Sequence, residues 1–302
     1  MSGMRVRIPV VVVAVAVAVA GCGDDSSSGN GLTVVATTTQ VADLARQVGG
    51  DRVNVDGMLR PGGDPHDYEP RPSDVAAVAR AKVVFRSGGE VDHWLSDVID
   101  NAGGNAEVVS LIDSVKRLDD DPHWWQDPRN GVRAVEAIRA ELSKADPGGR
   151  ATYARNAART VRTLRGLDRS IAACIERVPP AQRKIVTTHD ALGYFARRYD
   201  VDVVGAVIPS LSTQAQASAG DVQRLVDQIR REGVEAVFPE SSVNPDIERA
   251  IAREAGATIG DSLYADSLGP EGSPGETYAG ALAADAAALV RGMSGGRVDC
   301  RL

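Results

Sequence analysis

Histidine is scarce in this chain: His66, His93, His123 and His189 are the only four among 302 residues. Any imidazole chemistry has to be assembled from these. None stands in the His-Glu-x-x-His spacing that gives zinc hydrolases two ligands and a base on one helix face, which argues against an enzyme. No block of basic residues and no basic-aromatic face is visible along the chain, so nucleic acid is not an expected partner. No apolar run is long enough to cross a bilayer comfortably. The longest covers residues 8–20, short of the roughly 20 residues a spanning helix needs. Short repeats are absent. Cysteine is rarer still, at three residues. With Cys22 set aside, Cys174 and Cys300 form an even pair, which in an oxidising compartment reads either as one disulfide or as two separate buried thiols. The formal net charge of −7 suits an extracytoplasmic protein that handles cations.

What is present begins with an export signal. Arg5 and Arg7 precede the apolar run, which ends in Val19-Ala20-Gly21-Cys22. The layout is that of a secretion signal, and its end resembles the lipobox of bacterial lipoproteins. The resemblance implies acylation of Cys22, removal of residues 1–21 and a protein tied to the membrane only through its lipid. Residues 22–31 are polar and rich in Gly and Ser, a composition that cannot bury a core and reads as a flexible tether.

Beyond residue 31 strand-like and helix-like segments alternate. Strands are expected at 32–37, 53–59, 82–85 and 108–112, with helices at 40–48, 72–81, 91–101 and 132–144. The pattern resumes with strands at 184–188, 201–207, 236–238 and 257–259 and helices at 192–199, 220–231, 245–255 and 277–293. Such alternation implies parallel sheets with both faces covered, here in two α/β lobes at 32–148 and 179–302. Between them Tyr153, Ala157, Val161, Leu164, Leu167, Ile171 and Cys174 recur at three- and four-residue steps. One apolar stripe of that length predicts a single helix over 149–178, a rigid strut of roughly 40 Å.

Three of the histidines lie in turn-rich or strand-end contexts. His66 sits in Asp64-Pro65-His66-Asp67-Tyr68-Glu69-Pro70, and His123 in Asp121-Pro122-His123-Trp124-Trp125-Gln126-Asp127-Pro128. His189 follows an apolar strand, and Asp266 lies in Tyr264-Ala265-Asp266-Ser267-Leu268-Gly269. In α/β sheets, binding groups gather beyond the carboxyl ends of strands. These motifs, in this order and with a long helix between the second and third, resemble the cluster A-I (cluster 9) solute-binding proteins of ABC metal importers, the TroA/ZnuA/PsaA/AztC group, over nearly all of residues 32–295. The resemblance implies two α/β lobes joined by a rigid helix, with metal in the cleft held by His66, His123, His189 and Asp266. It also implies an ABC permease as partner, leaves room for a metallochaperone, and leads to the expectation of a lipid-anchored extracytoplasmic monomer.

Three imidazoles and a carboxylate can close a tetrahedral shell around zinc. A full set of protein ligands suits holding a metal, whereas catalytic zinc keeps a position for water. Imidazoles disfavour magnesium and calcium, and zinc outranks manganese at such a site. Within the family a histidine in the third position marks zinc binders and a glutamate manganese binders, so His189 favours zinc, with manganese as the alternative cargo. A zinc hydrolase and a surface adhesin are weaker readings. The long His-rich loop of many family zinc binders is missing, because the segment before His123 is only Lys116-Arg117-Leu118-Asp119-Asp120-Asp121, which carries no histidine and reads as a solvated acidic loop. Glu240 matches a carboxylate that the family places near the cleft. With Asp67 and Asp190, which follow ligand histidines, it is a candidate to orient an imidazole. His93 matches no ligand motif.

Overall fold

The computed structural model describes residues 31–302, besides Met1 and Gly3. The expected signal segment (apart from Met1 and Gly3), the expected acylation site at Cys22 and most of the expected tether lie outside the described residues. Each of two four-stranded sheets is wholly parallel. The first orders its strands β2-β1-β3-β4, with β1 Leu32–Ala36, β2 Val53–Gly57, β3 Val83–Arg86 and β4 Glu107–Ser110. The second orders them β6-β5-β7-β8, with β5 Lys184–His189, β6 Asp202–Ile208, β7 Ala236–Phe238 and β8 Thr258–Ile259. The central strands of the first sheet are largely apolar, as parallel strands covered on both faces tend to be. Val34, Val35, Ala36, Val83, Val84 and Phe85 are all fully buried.

The helices are α1 Thr39–Gly49, α2 Pro72–Arg80, α3 Leu95–Ala102, α4 Pro128–Ala145, α5 Arg150–Ile175, α6 Gly193–Tyr199, α7 Ala219–Glu232, α8 Asp246–Ala255 and α9 Tyr278–Met293. The expected architecture of two parallel α/β lobes and a long linking helix is present. The 26 residues of α5 give it a length of about 39 Å. Its buried stripe packs on α4, α1 and α9, so it touches elements of both lobes. One continuous apolar core joins residues of the two lobes through it.

Two element limits differ by four residues from the sequence expectation. The helix expected from residue 91 begins at Leu95, after a 3-10 turn at Gly89–Asp92. Gly88 and Gly89 both have positive φ there, and the buried Asp92 carboxylate accepts from Thr37, Arg86 and the Gly88 amide instead of entering a helix. Helix α4 begins four residues before the expected 132. Asp127 caps it by accepting from the Arg129 amide, and Pro128 fills its first position, where a missing N–H costs nothing.

Cys174 and Cys300 are joined by a disulfide, with Cα atoms 6.1 Å apart. The bridge ties the chain end to the last turn of α5. The Arg177 guanidinium adds a bond to the Asp299 carbonyl at 3.0 Å.

Candidate metal centre

His66, His123, His189 and Asp266 converge, each offering one ligand atom, and the four atoms lie within 4.8 Å of one another. His66 is carried by the loop after β2, and His123 by the loop that follows β4. His189 is the last residue of β5, and Asp266 follows β8. All four therefore stand beyond carboxyl ends of parallel strands.

The two N-lobe loops share one local device. In Asp64-Pro65-His66 the Asp64 carboxylate accepts from the His66 amide at 2.9 Å. In Asp121-Pro122-His123 the Asp121 carboxylate accepts from the His123 amide at 2.8 Å. An aspartate bonded to the backbone two residues on, with a proline between, makes a tight turn that aims the histidine. Trp94 Nε1 donates to the Pro65 carbonyl at 3.2 Å and secures the first turn from below.

The imidazoles are oriented from behind. His123 Nδ1 meets Asp121 Oδ1 at 2.7 Å, and His189 Nδ1 meets Glu240 Oε1 at 2.8 Å. A carboxylate on Nδ1 draws the proton there and leaves the Nε2 lone pair free. Those Nε2 atoms face each other at 3.2 Å. Asp266 completes the group, its oxygens 3.3 Å from His66 Nε2, 3.3 Å from His189 Nε2 and 3.5 Å from His123 Nε2. His66 Nε2 and both Asp266 oxygens are buried with no hydrogen-bond partner. Facing lone pairs in a dry site repel unless a cation or proton sits among them. Bonds of 2.0–2.1 Å to a tetrahedral zinc would place ligand atoms about 3.3–3.4 Å apart, close to four of the distances found here. The donor set thus fits a divalent cation.

The charge balance points the same way. Burial works against a charge on His189, but the Asp266 and Glu240 carboxylates outweigh it and lift its pKa to about 9. Burial would raise Asp266, yet His189, His123 and His66 hold it far below the usual carboxylate range. Burial raises Glu240 above its ordinary value, against the pull of His189.

Contacts between the lobes hold the fourth group. Trp125 Nε1 and Gln126 Nε2 donate to the Ala265 carbonyl at 2.7 and 2.8 Å. Helix α9 adds the Tyr278 hydroxyl, which donates to the Trp125 carbonyl at 2.5 Å. The backbone just before Asp266 is therefore fastened to the motif that carries His123. The other tryptophan, Trp124, turns into the N-lobe and donates to Ser87.

Of the residues singled out to orient imidazoles, Glu240 touches His189, but Asp67 and Asp190 do not act this way. Asp67 is exposed and accepts from Gln214 at 2.6 Å. Asp190 is exposed beyond the strand end, its amide bonded to the Ser210 carbonyl. His189 ends a strand, and along extended backbone the next side chain points to the opposite side; His66 and Asp67 share a turn that buries the histidine and leaves the aspartate outside. Sequence reasoning passed over Asp121 as part of a solvated acidic loop. The repeated Asp-Pro-His triplet was the signal for it. His93 is exposed, with Nδ1 2.9 Å from the Glu90 carbonyl.

Residues 34–292 match the family described as ZnuA, zinc-uptake complex component A, periplasmic. The manganese-binding lipoprotein MntA of Bacillus subtilis is 34% identical over 263 residues, 82% of this chain and 85% of that protein. The protein of the same name from Halalkalibacterium halodurans is 32% identical over 269 residues, 87% of this chain and 89% of that one. The periplasmic zinc-binding protein TroA of Treponema pallidum superposes with a TM-score of 0.82 at 27% identity, covering 87% of this chain and 99% of TroA. The chain belongs to the ZnuA family of metal-importer substrate-binding proteins, which are not enzymes.

Proposed function

We propose that this member of the ZnuA family, a solute-binding component of a metal ABC importer, captures zinc in the cleft between its lobes and delivers it to the permease. His66, His123, His189 and Asp266 are the ligands in this reading. Asp121 and Glu240 orient two of the imidazoles. The protein works as a monomer outside the cytoplasm, held to the membrane through a lipid on Cys22. The observation that carries the reading is the convergence of three buried imidazoles and one carboxylate with orphaned atoms facing a common centre. Imidazole-rich sites rank zinc well above manganese.

Manganese is the second reading, and two observations favour it. The relatives at 32% and 34% identity are named manganese-binding. Both Asp266 oxygens face histidines, so the site offers a fifth donor, and manganese accepts more ligands and more oxygen than zinc does. Calorimetric titration of metal-stripped protein with each ion decides between them. Zinc binding with a stoichiometry of one, at least ~100-fold tighter than manganese, supports the zinc reading. Tighter manganese binding replaces it with the second. Loss of both in His189→Ala is expected, and full retention there would remove His189 from the ligand set.

A further inference from the structure

The connecting helix carries a charge pattern that metal capture does not use. Its buried residues Tyr153, Ala157, Val161, Leu164, Leu167 and Ile171 form one stripe. At 100° per residue the opposite face holds Arg155, Arg159, Arg162, Arg165 and Arg169, all exposed. Their steps of three and four residues stack them along about 21 Å of helix. The residues between them on that face are Ala158, Thr163 and Gly166. The one acid of α5, Asp168, is engaged by Arg198 at 2.8 Å. Among the described residues none of the five arginines takes part in an ion pair, and two have side-chain bonds to the neutral oxygens of Thr152 and Asn156. Consecutive like charges at this spacing destabilise a helix, and nothing packed beside them offsets it. The spacing also explains why the chain shows no basic block: the arginines are dispersed in sequence and gathered by the helix.

The start of the described chain lies at the N-terminal end of this helix. Gly31 abuts Arg52 and Asn54. Arg52 donates to Asp146 at 2.8 Å, and the Tyr153 hydroxyl of α5 bonds the same carboxylate at 2.7 Å. Asn156 reaches back to the Val48 carbonyl at 3.1 Å. Eight residues lie between Cys22 and Gly31, a span of at most about 30 Å. A lipid on Cys22 therefore brings the membrane surface within reach of the arginine face.

We propose that the Arg155–Arg169 face of α5 rests on anionic lipid headgroups and sets the orientation of the anchored protein. The placement rests on the reading of Cys22 as the anchor; the affinity of the face for the surface does not. In a chain whose net charge is −7, a face of five arginines without ion-pair partners attracts an anionic bilayer against the repulsion of the net charge, so the charge asymmetry favours this side down. Each juxtamembrane arginine strengthens attraction to anionic lipid, and salt weakens it.

The test uses the mature chain from residue 22 with Cys22→Ser, which cannot be acylated, and vesicles of phosphatidylglycerol and phosphatidylcholine or of phosphatidylcholine alone. Co-sedimentation at low salt is expected to be ~10-fold or more stronger with phosphatidylglycerol and to vanish at high salt. A variant with glutamine at the five positions (R155Q, R159Q, R162Q, R165Q, R169Q) is expected to lose it. A charge-matched variant (R80Q, R224Q, R231Q, R249Q, R253Q) is expected to keep it. The α5 variant should also melt at an equal or higher temperature, because like-charge repulsion is relieved. No preference for phosphatidylglycerol, equal loss in both variants, or a lower melting temperature of the α5 variant would each overturn the proposal. The anchor is tested separately by mass spectrometry of the exported wild-type protein. An unmodified Cys22 would sink the anchor reading while leaving the vesicle result to judge the face.

Discussion

The aspartate two residues before His123 and the glutamate 51 residues beyond His189 do the same work: each binds the Nδ1 of a candidate ligand and turns Nε2 toward the centre. Removing such a partner typically weakens metal affinity about 10–100-fold while leaving the site formed. Asp121→Asn and Glu240→Gln are each expected to lower zinc affinity by that order in a competition titration, with stoichiometry kept at one. Unchanged affinity would reduce both carboxylates to loop supports. Another buried carboxylate is not placed against the imidazoles. Asp285 on α9 accepts from the Tyr264 amide at 2.8 Å, and burial pushes its pKa up to about 8. An unfolded aspartate titrates near about 3.9. Between those values the folded state binds more protons than the unfolded state, so this group makes stability fall as pH rises through that window. Asp285→Asn keeps an oxygen for the Tyr264 amide and cannot ionise. Its advantage over the wild type in urea unfolding is expected to grow from near zero at about pH 4 to as much as a few kcal/mol at about pH 8. Parallel stability curves would show that Asp285 is not held neutral.

Among the elements, α5 carries two independent demands on opposite faces, a core stripe and an arginine face, and its last turn takes the bridge to Cys300. The loop closed by that bridge spans 126 residues, for which the chain-entropy model allows up to roughly 5 kcal/mol, with measured gains often smaller. Neither cysteine is near the candidate ligands in the chain. Replacing both with Ser is expected to lower the melting temperature while one zinc still binds. Loss of zinc from a folded double variant would show that the bridge positions the cleft. The strand and helix alternation was legible because parallel strands must be apolar on both faces and their helices amphipathic. The start of α4 was less so, since Asp127 and Pro128 lie inside a motif that draws attention to its histidine.

At the scale of the molecule, one apolar core and a set of interlobe bonds join the halves. Besides the bonds to Ala265, the Leu268 amide donates to Thr39 at 2.9 Å, the Tyr278 amide to Asp43 at 2.8 Å, and the Gly62 amide to the Leu268 carbonyl at 3.0 Å. These clamp the lobes beside the site, and α5 braces them from behind. Calorimetry is expected to show one cooperative transition that moves up with metal. At a free zinc concentration 1,000 times Kd, linkage adds about 4 kcal/mol. Two separate transitions, with only one responding to zinc, would mean that the lobes fold independently and that ligands from a single lobe hold the metal.

The chain by itself determined the fold class, because periodicity reports which faces are buried, and its ordered motifs, through their resemblance to a known family, pointed to the four residues that converge. It could not determine which carboxylate backs which imidazole. Asp121 lies two residues from its histidine and Glu240 lies just past the end of β7, and only strand order and register bring the second within 2.8 Å. Nor could it separate Asp67 and Asp190 from the true partners, since sequence adjacency says nothing of side-chain direction. The arginine face was equally hidden: its charges are diluted along the chain and become a surface only when a helix of 3.6 residues per turn stacks them. Contacts between distant segments, which no local pattern encodes, decided these features.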